Sequence, residues 1–295
     1  MRIMILGATG MLGHKLCQLL PRDGFDVVGT VRRVDDPTAK WPEIFSRCRI
    51  VTGLNVLDDR RLDAIVREVD PAVIVNCVGI VKQLRESQDA YLNVAINAFL
   101  PHWLAKLCAE QRRRLIHIST DCVFAGTRGG YRETDESDAR DLYGRSKFLG
   151  ETTADETAAV TLRTSIIGRE IGSPKHGLLD WFFSEARAGR SVRGFAKAFF
   201  TGFTTIELAR IIALVARHQP PIHGLYQVAS SSISKLQLLE LVRREFSLPI
   251  EVTRDGMFLC NRSLLMDRFT TDTGYAAPAW ERMIRELRED GTMYE

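Results

Sequence analysis

Along the first 165 residues, short apolar runs alternate with longer stretches whose apolar positions recur every three or four residues. Short runs predict strands and the longer stretches helices, the alternation that builds a parallel sheet covered by helices. Ile3–Leu6 predicts the first strand and Met11–Leu20 the first helix, followed by strands at Asp26–Val31 and Arg49–Thr52. Leu62, Ile65, Val66 and Val69 keep helical spacing, so Leu57–Val69 is expected as a helix. Ala72–Cys77 reads as the apolar run of a strand buried on both faces. A long helix over Ala90–Gln111, a strand over Arg114–Ile118, a helix starting near Tyr143 and a strand at Ala159–Arg163 follow. Between them, Ser119 to Leu142 reads as a loop rich in Asp, Gly, Thr and Arg. Loops of that length in compact domains usually carry function.

The periodicity loosens after about Ser165. Helical patterns occur at Leu178–Ala188, Thr205–Arg217, Lys235–Glu245 and Trp280–Glu289, with strands around Gly224–Val228 and Ile250–Thr253. No repeat, low-complexity tract or linker separates the halves. The expected architecture is α/β, a Rossmann-type doubly wound parallel sheet with a smaller C-terminal α/β substrate-binding lobe. Residues 1–165 would hold the cofactor and 166–295 the substrate, with about 200–230 packing back on the core.

Composition narrows the class without naming a chemistry. With 45% hydrophobic and 26% charged residues and a net charge of +3, the chain reads as ordinary globular protein. Disordered, collagen-like and basic nucleic-acid-coating or membrane-binding classes are excluded on that balance. No apolar stretch approaches membrane-spanning length, and the N-terminal run breaks at Gly7 before it could form a signal peptide. A cytoplasmic chain with no membrane or nucleic-acid partner is expected. The six cysteines stand singly, without metal-ligand spacing, so no metal is expected. The carboxylates Glu133, Asp135, Glu136, Asp138 and Asp141 read as a solvated loop.

The first chemical motif is Gly7-Ala8-Thr9-Gly10-Met11-Leu12-Gly13, placed between the first strand and its helix. Glycines there let the backbone turn sharply and approach a pyrophosphate, so Gly7, Thr9, Gly10, Met11, Leu12 and Gly13 are dinucleotide-binding candidates. An NAD site commonly places an acid some twenty residues further on. This chain has Arg32 and Arg33 instead, two guanidiniums suited to a 2′-phosphate. NADPH is therefore the expected cofactor, with NADH left open.

Further motifs give a resemblance. They are Asn76-Cys77-Val78-Gly79, Ile96-Asn97 with Pro101, Ser119-Thr120-Asp121-Cys122-Val123-Phe124, Tyr143-Gly144-Arg145-Ser146-Lys147 and Leu162-Arg163-Thr164-Ser165. Together with the glycine loop, the chain resembles the extended short-chain dehydrogenase/reductases over nearly its whole length. Within them it is most similar to the dTDP-4-dehydrorhamnose reductase branch of nucleotide-sugar enzymes. That resemblance implies reduction of the C4 ketone of a nucleotide-diphosphate 4-keto-6-deoxy sugar, in deoxysugar or surface-polysaccharide biosynthesis. Dimers are common in the superfamily, so a homodimer is an open expectation.

Tyr143 and Lys147 are four apart and project from one helix face. An ammonium beside a phenol would lower its pKa and make Tyr143 an acid/base, with Thr120 sharing the substrate oxygen. The resemblance gives Lys147 a further bond to the nicotinamide ribose. It also puts Ser119, Cys77, Val78, Gly79, Asn55 and Val56 along the cofactor, and Asn97 in support of the site. Asp121, Cys122, Ser165, Ile166, His176, Arg193 and Arg262 are the substrate-side candidates, with Lys175 and Lys197 as further cations. Cys122 and Ile166 stand where the reductases commonly carry Tyr and Trp. Two alternatives stay open: a nucleotide-sugar epimerase or epimerase-reductase using Cys122 and His176, and a non-catalytic regulatory subunit like the methionine adenosyltransferase β subunit.

Overall fold

The computed structural model describes residues 1–152 and 159–294. Its strands are β1 (Arg2–Leu6), β2 (Asp26–Thr30), β3 (Arg49–Val51), β4 (Val73–Asn76), β5 (Arg114–Thr120), β6 (Ala159–Thr164), β7 (Ile166–Ile167), β8 (Val192–Phe200), β9 (Phe203–Thr204), β10 (Gly224–Gln227), β11 (Ile233–Ser234) and β12 (Val252–Asn261). The helices are α1 (Gly13–Leu19), α2 (Pro42–Phe45), α3 (Asp59–Val69), α4 (Ala90–Asn93), α5 (Leu100–Glu110), α6 (Leu142–Leu149), α7 (Leu178–Arg187), α8 (Thr205–Arg217), α9 (Lys235–Glu245), α10 (Asp267–Thr273) and α11 (Trp280–Glu289).

Seven strands form one sheet in the order β10-β6-β5-β4-β1-β2-β3, every pair parallel. Parallel strands need crossovers, and the helices that supply them cover both faces. All four residues of β4 are accordingly buried. On one face Leu62, Val66 and Val69 of α3 pack with Leu104 and Cys108 of α5. On the other, Leu16 and Cys17 of α1 and Ile211 and Val215 of α8 share a layer that continues into Phe182, Leu238 and Val242. The strand order reverses between β1 and β4, which opens a crevice at their carboxyl ends.

The sequence pattern placed α8, α9 and α11 at their observed limits. Differences arise where side chains do not advertise burial. β5 runs on through Ser119 and Thr120, which pair with Arg163 and Thr164, so these residues end a strand where the composition suggested a loop. β8 went unread because Gly194, Ala196, Lys197 and Ala198 dilute its apolar pattern. It is nevertheless the centre of a three-stranded sheet with β11 and β12, and β12 extends to Asn261, well past the expected strand. The α10 segment, with Thr and Asp at most positions, showed no helical stripe. The long helix is continuous from Ala90 to Glu110 but includes a π-helical turn over Val94–Phe99. π-Turns frequently mark functional sites.

Candidate active site

Because β1, β4 and β5 are parallel neighbours, their carboxyl ends deliver the glycine loop, Cys77–Gly79 and Thr120 to one edge. Gly7 adopts φ +83°, a left-handed conformation that a side chain would strain, and its carbonyl accepts from Gly10 N–H at 3.0 Å. A Cβ on Gly13 would overlap that same carbonyl, so the helix can start this close to the strand only with glycine. Thr9 and Gly10 are exposed, Met11 is half-buried, and Leu12 anchors the loop in the core. Val78 lies against Gly7, and Gly79 faces the Asn97 side chain. Cys77 sits beside Lys147, its thiol pushed up to about 12 by burial. Arg32 and Arg33 follow β2, both exposed and without an ion pair among the described residues. Asn55 shapes the turn into α3 by accepting from Leu57 N–H, while Val56 packs on the core.

Tyr143 is set by the start of α6. Asp141 caps the helix by accepting from Gly144 N–H at 2.8 Å and is itself held by Lys82 at 2.7 Å. Lys82 Nζ lies 5.6 Å from the Tyr143 ring centroid. Thr120 Oγ1 accepts from Cys122 N–H at 3.1 Å and donates to Asp121 Oδ1 at 3.3 Å. Burial is the largest influence on the Tyr143 phenol and raises its pKa above 10, with Cys122 acting in the same direction and Thr120 opposing. The expected lowering by Lys147 is not what the side chains show. Lys147 Nζ instead donates to Ile118 O at 2.7 Å and lies 3.5 Å from His117 Nε2. Its own pKa falls to about 8 through burial, with Glu151 and Cys77 opposing.

Asn97 occupies the π-turn and is wholly buried. Its Oδ1 accepts from Ile80 N–H at 2.9 Å, while Nδ2 donates to Ile80 O, Asn93 Oδ1 and Ser146 Oγ at 3.0, 3.3 and 3.2 Å. It thus ties the loop after β4 to α6, the helix of Tyr143 and Lys147. Ser119 turns away from that edge: its hydroxyl donates to Glu151 Oε1 at 2.6 Å, which in turn pairs with Arg163.

The substrate-side candidates divide. Cys122, Asp121 and Arg262 come together, with Arg262 Nη1 3.8 Å from Cys122 Sγ. Ser165 and Ile166 lie nearby in sequence to the end of β6, where Ser165 O accepts from Phe203 N–H and β7 pairs with β9. The backbone at His176 is fixed by Glu170: its N–H and that of Gly177 donate to Glu170 Oε2 at 2.5 and 2.6 Å, and Gly177 packs against Met11. The charged groups acting on Cys122 are Asp121, Lys82 and Arg262. Arg193 is exposed and paired with Asp255, seven strand residues from Phe200, a span of about 23 Å.

Three residues at this edge, His117, Lys82 and Lys235, carry no mark in the sequence motifs. Asn76 Oδ1 accepts from Val78 N–H at 3.1 Å, which leaves its Nδ2 to donate to His117 Nδ1 at 3.2 Å. His117 is fully buried beneath Lys147, and burial and Lys147 hold its pKa well below 6.5. An ionisable residue inside the apolar run of β5 was the signal available for it. Lys82 and Lys235 gave none, since each is a lone lysine between ordinary neighbours.

A glycine loop, a hydroxyl on β5 and a Tyr–Lys pair on α6, gathered at the switch point of a parallel sheet, define an NAD(P)-dependent oxidoreductase of the extended short-chain dehydrogenase/reductase type. Within that class the chain belongs to the RmlD substrate binding domain family, whose model matches residues 1–254. It is 29% identical to the probable low-salt glycan biosynthesis reductase Agl14 of Haloferax volcanii, over 79% of this chain and 75% of that protein. It is 32% identical to the dTDP-4-dehydrorhamnose reductase of Mycobacterium tuberculosis, over 51% of this chain and only 44% of the mycobacterial protein. Its fold is similar to that of dTDP-4-dehydrorhamnose reductase from Bacillus anthracis in complex with NADP, with TM-score 0.80, 20% identity and 98% of each chain covered. Among the described residues no helix is long and apolar enough to cross a membrane, and no cluster of His, Cys, Asp and Glu could hold a metal ion.

Proposed function

We propose that this chain uses NADPH to reduce the C4 ketone of a nucleotide-activated 4-keto-6-deoxy sugar, in the making of deoxysugars or surface polysaccharide. The observation that carries the reading is the convergence of Thr120, Tyr143 and Lys147 beside the glycine loop. The cofactor fits what stands there. The Gly7–Gly13 loop leaves Thr9 and Gly10 open to a pyrophosphate, and the exposed guanidiniums of Arg32 and Arg33 suit a 2′-phosphate. When bound, NADPH supplies the hydride. Tyr143, whose phenol burial keeps protonated at neutral pH, gives its proton to the ketone oxygen. Thr120 holds that oxygen from a second side, and Lys147 donates to the ribose hydroxyls. Asn97 positions α6, and Cys122, Asp121, Ser165, Ile166 and Arg262 wall the sugar.

The epimerase alternative needs Cys122 as a base, but burial and Asp121 push its thiol to about 12, so it stays protonated. A homodimer is supported by exposed apolar residues on two packed helical segments, Tyr91, Val94 and Phe99 beside Phe148 and Leu149. The functional test is NADPH oxidation with a panel of dTDP-, UDP- and GDP-4-keto sugars, read by absorbance. Turnover that falls at least about a hundredfold in Tyr143→Phe supports the reading. No turnover with any sugar overturns it, and tight binding to another protein would then favour a regulatory subunit.

A further inference from the structure

Lys235 opens α9 directly after Ser234, which forms a capping box with Gln237 and so fixes where the helix begins. From there the lysine reaches inward over Phe200, with Nζ 3.9 Å from the ring centroid. Among the described residues the ammonium has neither a hydrogen bond nor an ion pair; the aromatic face is its contact. The carboxylate that acts on it is Asp121, with the thiol of Cys122 nearby, both at the end of β5 beside Thr120. Burial lowers its pKa from 10.5 to about 8, the mark of an ammonium short of compensating partners.

Arg262 faces the same place. Its Nε donates to Phe124 O at 2.7 Å and Nη2 to Ala125 O at 3.4 Å, which leaves Nη1 directed at Cys122 Sγ, 3.8 Å away. A neutral thiol is a poor partner for a guanidinium. The carboxylates nearby are already engaged: Asp141 by Lys82 and Gly144 N–H, Asp121 by the Thr120 hydroxyl at 3.3 Å. Lys235 and Arg262 thus both face Asp121, while Asp141 is taken by Lys82. Cys122 joins these groups to the reaction centre, because its N–H bonds Thr120 Oγ1 and, after burial, it is the next influence on Tyr143.

We propose that Lys235, together with Arg262, binds an anionic oxygen group of the substrate, a sugar carboxylate or a diphosphate oxygen, beside Asp121 and Cys122 at the end of β5. The site exists ready-made: one cation is fixed by backbone carbonyls, and the other is held against an aromatic ring. An arriving oxyanion gives both their missing partner in a place where water screens little. This deepens the sugar-nucleotide reading and rests on it only for which molecule brings the anion.

The test is calorimetric titration of the full chain, saturated with NADP⁺, using UDP, UDP-glucose and UDP-glucuronate. Wild type is compared with Lys235→Met, which keeps the stem over Phe200, and Lys235→Arg, which keeps the charge. The expected result is at least tenfold weaker binding in Lys235→Met and substantial recovery in Lys235→Arg. A loss shared by all three ligands assigns the site to diphosphate oxygen; a loss confined to UDP-glucuronate assigns it to the carboxylate. Either supports the inference. Unchanged affinities in Lys235→Met overturn it, as does a wild type that binds none of the three. NADP⁺ affinity, read by quenching of intrinsic fluorescence, stays at the wild-type value if the variant is folded. If it falls, Lys235→Gln carries the same comparison. Nucleotide binding without NADPH oxidation by any keto-sugar would sink the reductase reading and leave the subsite standing.

Discussion

Replacing Glu151 by Gln keeps the shape of a buried side chain and deletes its charge beneath the candidate active site. Glu151 and Arg163 side chains are each only 1% exposed, and three hydrogen bonds converge on the carboxylate. Arg163 Nε and Nη2 donate at 3.0 and 2.6 Å, and Ser119 Oγ at 2.6 Å. The guanidinium also lies 4.9 Å from the Phe124 ring, while its Nη1 is buried without a hydrogen-bond partner among the described residues. This pair joins the ends of β5 and β6 to the segment just after α6, so it holds Thr120 in register with Tyr143 and Lys147. Without the carboxylate, the guanidinium becomes an uncompensated buried charge, a loss of about 3–5 kcal/mol. For a chain of this size each kcal/mol lowers Tm by about 1.5–2 °C, so a drop of roughly 5–10 °C is expected. Urea unfolding at pH 7, followed by circular dichroism, measures the change at constant m. The double variant Glu151→Leu/Arg163→Met removes both charges and should recover most of the loss. A Glu151→Gln protein within about 1 kcal/mol of wild type, or a double variant no better than the single one, refutes the reasoning.

Two further outcomes follow from local geometry. In Gly144→Ala the new Cβ would intrude on the Cys122 carbonyl, so α6 must shift beside Tyr143; kcat should fall by about tenfold to a hundredfold with the chain still folded. Unchanged kinetics would show that the position of α6 is not critical. His14 is fully buried, its pKa depressed from 6.5 to about 4 first by burial and then by Lys15. A depressed folded pKa means the unfolded chain takes up the proton first, so His14 supports folding above pH 6.5 and loses about 3 kcal/mol of support as pH falls to 4. The same urea series in His14→Asn should slope less over that window; an identical slope to wild type would rule His14 out as the source.

Much of the fold and of the reaction centre is written locally. Runs such as those of β1, β2 and β4 announce strands because both faces of a parallel sheet are buried. Helices such as α8 and α9 announce themselves by spacing, and the glycine loop and the Tyr143–Lys147 pair need only a few adjacent residues. β8 was illegible because its burial comes from β11, β12 and α9, none of them near it in sequence when the pattern is read.

What the sequence by itself determined is therefore the order of the elements, the parallel class of the sheet and the residue types at its carboxyl edge. The tertiary structure decided what each ionisable group faces. Lys147 turns to the Ile118 carbonyl and leaves the Tyr143 phenol protonated, and Ser119 turns to Glu151. The His176 and Gly177 N–H groups turn to Glu170, Arg262 reaches Cys122, and the unforeseen Lys235 faces Asp121. The physical reason is that spacing is set by one helix or strand, whereas the desolvation and partners that fix a charge are summed over elements from both ends of the chain.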